Sequence, residues 1–108
     1  MKKIEGKIIY ISGPMTGINK LNAANFEFAV DIVKQMNAKA VLTPHCLPEG
    51  LEYDDYMHID YAMVDVADVI VVLNGWSESP GSLKELDRAI LKGKEIIYLQ
   101  ELLNQLSN

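Results

Sequence analysis

Residues 68 to 73, D-V-I-V-V-L, constrain the fold of this chain more than any other stretch. One aspartate is followed by five apolar residues with no polar alternation, four of them β-branched. A strand with one wet face would alternate, and a buried helix would need a longer run. The segment therefore predicts a central parallel strand covered on both sides. Parallel neighbours need crossover helices, so the rest of the chain must supply a β-α-β alternation.

It does. Lys7 to Ser12 (K-I-I-Y-I-S) reads as the first strand, stopped by Gly13 and Pro14. Asn22 to Asn37 reads as the first helix, with Phe26, Ala29, Val30, Val33 and Met36 recurring every three or four residues and Asn22 or Asn25 as its cap. Ala40 to Thr43 is a short second strand ended by Pro44, and residues 44 to 53 a loop. Asp54 is the expected cap of a second helix reaching Ala67, with Met57, Tyr61, Val64 and Met63 inward. After the central strand come a third helix, Ser82 to Lys92, with Gly93 as its stop, a fourth strand, Glu95 to Leu99, and a short helix over 100 to 106. The expected fold is α/β: a three-layer, doubly wound parallel sheet of four to five strands, flavodoxin-like or Rossmann-like.

The 108 residues, 49% of them hydrophobic, suffice for one domain spanning 1 to 108. A formal charge of -5 argues against an extended nucleic-acid footprint, and no apolar run is long enough for a membrane partner. Glu5 and Lys7 interrupt any apolar leader, and the single cysteine, Cys46, has no internal partner, so a reducing cytoplasm is expected.

In open parallel sheets ligands bind beyond the carboxyl ends of the strands. Three segments lie there: Gly13 to Asn19, Pro44 to Gly50, and the stretch from Asn74 into the third helix. All are rich in Gly, Pro and small polar residues. Glu85 has two readings. Ser82-x-x-Glu85 matches a capping box, a structural device. The same carboxylate, in a first helical turn, would stay ionised and serve as a nucleophile toward an electrophilic sugar carbon. Asp60, His58 and Asp65 fit a solvated helix face, and Asp68 the end of a helix. Trp76 suits a loop anchor or a pocket lid. Gly13 to Gly17 are turn residues that also let backbone approach a phosphate. No Walker lysine, no G-x-G-x-x-G and no metal-ligand spacing around His45 and Cys46 is present, so neither metal nor organic cofactor is expected.

Taken together, I-Y-I-S-G-P-M-T-G (residues 9 to 17) and G-W-S-E-S-P-G-S-L-K-E (residues 75 to 85) resemble the nucleoside 2-deoxyribosyltransferase superfamily, in particular a branch of small phage and bacterial proteins of unknown function. The similarity runs over roughly residues 7 to 99. It implies Glu85 as nucleophile, Asp60 as the acid that assists the leaving base, and Tyr10 as the residue orienting nucleophile or sugar. It further implies that Gly13, Pro14 and Met15 border the sugar, and that Ser79, Gly81 and Ser82 hold a 5' phosphate. Ser79 stands where the transferases favour aspartate and the monophosphate glycosidases serine, which points to a nucleotide. Pro14 and Thr16 replace the serine and arginine of those glycosidases, leaving phosphate binding to amides and hydroxyls. The implied reaction is hydrolysis or exchange of the base–sugar bond of a (deoxy)nucleoside or its 5'-monophosphate, in a homodimer or larger homo-oligomer. Two rivals are a nucleotide-sensing module without chemistry and an adaptor that uses Met57 and Met63 as a partner surface.

Overall fold

The computed structural model of the chain describes residues 3–15 and 22–107. Thr16 and Gly17, named above with the first loop, lie outside them. Four strands, β1 (Ile8–Ser12), β2 (Ala40–Leu42), β3 (Val69–Val72) and β4 (Glu95–Tyr98), form one parallel sheet in the order β2-β1-β3-β4. The expected α/β architecture is realised, with four strands. Helices α1 (Ala23–Gln35) and α4 (Leu99–Leu106) cover one face, where Phe26, Ala29, Val33 and Leu102 pack on Ile9, Ile11, Val69 and Val71. Helices α2 (Tyr53–Val66) and α3 (Pro80–Leu91) cover the other, where Val64, Leu86 and Ala89 pack on Tyr10, Ile70 and Val72. All four residues of β3 are buried, as its unbroken apolar run requires.

The winding reverses at β1. Helix α1 leads outward to β2, whereas α2 returns over the opposite face to β3. The carboxyl ends of β1 and β3, paired as Ser12 with Val72, flank this switch point. Strand alternation puts Tyr10 and Ser12 on the face of α2 and α3, and Ile9 and Ile11 on the other.

Helix starts differ from the expected ones, for local reasons. Helix α3 begins two residues before the expected Ser82, because Ser79 is its cap: Ser79 Oγ accepts from the Ser82 amide at 3.2 Å, and Pro80 fills the first helical position. Helix α2 is capped by Glu52, not Asp54; the Glu52 amide donates to Asp55 three residues on, and Asp54 falls in the first turn. Asn22 does cap α1, but its side chain donates to the Pro14 carbonyl at 3.0 Å, and Asn25 donates to Asn22. The residues expected to be mere turns and ends behave so. Asp68 accepts from the Ile8 amide at 2.9 Å, and half-buried Trp76 anchors its loop on Tyr98 with ring centroids 5.8 Å apart.

Helices α2 and α3 are tied together by a bidentate pair. Arg88 donates to both oxygens of Asp65 at 2.8 and 2.7 Å, its guanidinium lies over Tyr61, and Lys94 donates to the Asp65 carbonyl. Being in contact with solvent, the pair is screened and contributes little to stability. Its larger effect is geometric, since α2 carries Asp60 and α3 carries Glu85.

Candidate active site

A cavity of about 630 Å³ opens at the switch point, within the range that holds a nucleoside-sized ligand. Gly13, Pro14 and Met15 form the wall after β1. Pro44, Leu47 and Pro48 close the side after β2, and Tyr53, Tyr56 and Met57 of α2 face them. Ser79, Pro80, Gly81 and Ser82 bring in the start of α3, with Asp60 and Glu85 lining the interior. Every residue expected at the site is thus in or directly behind this one cavity. Tyr10 is the one behind it, fully buried beneath Glu85.

Glu85 does not complete a capping box. The earlier start of α3 moves it into the second turn, where it is only 3% exposed. Tyr10 donates to Glu85 Oε2 at 2.8 Å, and Ser12 donates to Glu85 Oε1 at 2.7 Å. Each carboxyl oxygen has its own hydroxyl donor. The expectation that the helix dipole keeps this group ionised is also overturned. Burial, and after it the neighbouring Asp60 carboxyl, push Glu85 well above the usual glutamate range, against the pull of the Ser12 and Tyr10 hydrogen bonds. Desolvation outweighs a dipole that fades beyond the first turn.

Asp60 is not on a solvated face. It is 6% exposed; burial raises its carboxyl against the opposing pull of a hydrogen bond with Glu85, and its Oδ1 has no hydrogen-bond partner among the described residues. A buried acceptor atom without a donor is costly, which leaves Oδ1 free to take one from a ligand while the carboxyl pairs with Glu85. Tyr10, raised by burial and then by Glu85 and Asp60, keeps its proton and acts as a donor. Two neighbouring buried carboxyl groups cannot both ionise easily, and they titrate as a pair.

Gly13 is required sterically. A Cβ there would lie 2.7 Å from Leu73 Cδ1 and 2.8 Å from Leu73 Cβ, so no rotamer of Leu73 relieves the clash. We expect Gly13→Ala to cost roughly 1–3 kcal/mol in thermal unfolding. Gly81→Ala, whose Cβ would meet Met57 at 3.8 Å, should be near neutral in the same measurement.

Three features were not read from the sequence. Ser12 reaches the Glu85 carboxyl; the period-two alternation that places it beside Tyr10 was the available signal. Met57, expected in a core or on a partner surface, is 6% exposed and lines the cavity, which removes it from any adaptor face. Lys84 is the cation among the described lining residues, its ammonium 4.8 Å from the centre of the Tyr53 ring. The remaining charges at the rim, Glu49 and Glu78, are negative. Among the described residues no group of three or more His, Cys, Asp or Glu is placed to hold a metal ion.

A family model described as a domain of unknown function (DUF4406) matches residues 7–98. Among solved structures, the 2-desoxiribosyltransferase from Leishmania mexicana superposes with a TM-score of 0.67 at 20% sequence identity, over 85% of this chain. The chain spans 63% of that protein's length and shares its α/β fold. No curated protein sequence matches the chain.

Proposed function

The chain belongs to the family described as a domain of unknown function (DUF4406), and we propose that its cavity breaks the base–sugar bond of a (deoxy)nucleoside 5'-monophosphate. One observation carries the reading. A buried glutamate, gripped on both oxygens by Tyr10 and Ser12, shares a nucleoside-sized cavity with a buried aspartate whose Oδ1 has no partner among the described residues.

The pair holds one proton; burial and the neighbouring Asp60 favour it on Glu85, and the reactive state is the one in which it has passed to Asp60. A carboxylate oxygen of Glu85 attacks the anomeric carbon through an oxocarbenium-like transition state. The carbon–oxygen bond forms as the carbon–nitrogen bond breaks, the electron pair leaves with the base, and Asp60 supplies the proton that neutralises it. Water then attacks the same carbon, Asp60 takes a proton from it, and Glu85 leaves as carboxylate. A second base in place of water gives transfer. Burial raises the Asp60 carboxyl, which favours the protonated form that the acid role needs.

The phosphate reading draws on fewer groups than the residue pattern implied. Pro80 has no amide hydrogen, and the Ser82 amide is given to Ser79. Among the described residues at the start of α3, that leaves the Ser79 hydroxyl proton, the Gly81 amide and Lys84 as donors to a 5' phosphate. Lys84 stands in for the arginine absent from the loop after β1.

A second reading, ligand capture without chemistry, has its own support. Burial favours the protonated form of Glu85, which can serve as a hydrogen-bonding group for a ligand. Incubation with a panel of nucleosides and nucleoside monophosphates, read by chromatography for free base, separates the two. Base release with a transient sugar adduct in the intact mass is expected. Saturable binding with no base from any member of the panel favours capture.

A further inference from the structure

We infer that Ser12 is a positioning residue for Glu85: its hydroxyl fixes the plane of the carboxyl group and holds it ready to act as a carboxylate. The inference deepens the glycosidic reading and rests on it for the chemistry, although the clamp itself can be measured without substrate.

Three observations support the role. Ser12 ends β1, two residues beyond Tyr10, so both side chains project toward α3 from the same face of the sheet. The long Tyr10 side chain reaches Oε2, and the short Ser12 side chain reaches Oε1. A glutamate's last torsion is broad when unconstrained, and two donors on two oxygens remove that freedom. Gly13 cannot share the task, because Leu73 leaves no room for a side chain there.

The third observation is Ser82. Its Oγ lies 3.2 Å from Ser12 Oγ, and it is 2% exposed. A hydroxyl has one proton and two lone pairs. Ser12 is placed to donate to Ser82 Oγ or to Glu85 Oε1; with its one proton on the shorter contact, to Glu85 at 2.7 Å, the Ser82 hydroxyl is left to donate in the serine–serine contact. The three groups then form a chain, Ser82 to Ser12 to Glu85, with every donor directed at the carboxylate. Such chains polarise one another and strengthen the last bond. This explains why Ser82, on the cavity wall, is turned inward rather than toward a ligand.

The other groups that face Glu85 do not duplicate this effect. Asp60 from α2 adds negative charge and opposes ionisation. Tyr10 from β1 donates to the other oxygen. Lys84, next in sequence, points to the Tyr53 ring at the rim, where Glu49 and Glu78 also lie.

The experiment follows the Glu85 carboxyl by ¹³C NMR across pH in the full chain, the signal being assigned by its loss in Glu85→Gln. Removing a hydrogen bond to the charged form should raise the midpoint by about one to two pH units in Ser12→Ala. Ser12→Thr, which keeps the hydroxyl, should restore the wild-type midpoint, and Ser12→Cys, with a weaker donor, should fall between. Where base release is measurable, the acid limb of the rate profile should move by the same amount, with kcat lowered and KM little changed. A folded Ser12→Ala or Ser12→Cys protein whose Glu85 midpoint equals that of wild type overturns the role of Ser12, whatever the activity. A shifted midpoint in a protein that releases no base confirms the clamp and rejects the glycosidic reading instead.

Discussion

Replacing Glu85 with Gln is expected to abolish base release, by a factor on the order of 10⁴ or more, while leaving the fold intact. Gln is the informative substitution. It keeps the volume and an acceptor oxygen, so one of the Tyr10 and Ser12 hydroxyls retains its partner. Ala would strand both, and each orphaned hydroxyl costs on the order of 1–3 kcal/mol. A loss of activity in Glu85→Ala would therefore mix chemistry with stability, whereas circular dichroism and thermal unfolding should scarcely distinguish Glu85→Gln from wild type near pH 5. Asp60→Asn should behave differently. Loss of an acid costs about 10²–10⁴, and the loss should shrink for bases that leave readily without protonation. The defect of Glu85→Gln should not depend on the leaving group's acidity in that way. Base release within tenfold of wild type in a folded Glu85→Gln protein would remove the nucleophile from the proposal.

The parts of this arrangement that were legible in sequence are those set by short-range pattern. The β-branched run of β3 and the three-to-four spacing in α1 report burial directly, because each residue's environment repeats along its own element. Helix ends were less legible. S-P-G-S offers two serines as caps, and the choice falls on Ser79 because Pro80 is pre-shaped for the first helical position. That shift of one turn changes Glu85 from a capping partner into a buried acid. Asp60 illustrates a different limit. Nothing in Y-M-H-I-D-Y-A tells which face α2 turns to the sheet edge. Its burial follows from the passage of α2 over the switch point beside α3, and contacts at that distance in sequence leave no local trace. Ser12 was overlooked for a similar reason, since its partner is 73 residues away. The alternation that revealed Tyr10 extends to it by one more step.

The stability of the folded chain should fall as pH rises from about 5 to 8, and Glu85→Gln should remove much of that fall. The direction follows from the raised carboxyl of Glu85, caused first by burial and then by Asp60. Below the ordinary glutamate value of about 4.3, folded and unfolded chains both hold the proton, and Glu85 contributes nothing to the pH dependence. Above it the unfolded chain releases the proton while the folded chain keeps it. Stability then declines by up to about 1.4 kcal/mol per pH unit for each proton so retained, until the folded group also ionises. Asp60, raised in the same direction, adds to the decline. Asp65, lowered by Arg88, works with the opposite sign: its contribution is present above the ordinary aspartate value and disappears only in acid, outside this window. In thermal unfolding between pH 5 and 8, the wild-type midpoint should therefore drop several degrees relative to Glu85→Gln. Asp60→Asn should flatten the curve in part, by removing its own retained proton and one cause of the Glu85 shift, and the double variant should flatten it further. Parallel curves for wild type and Glu85→Gln would mean that Glu85 ionises as freely in the folded chain as in the unfolded one. A carboxyl that does so is in contact with water, and the shared proton on which the proposed cleavage depends would have no place to be held.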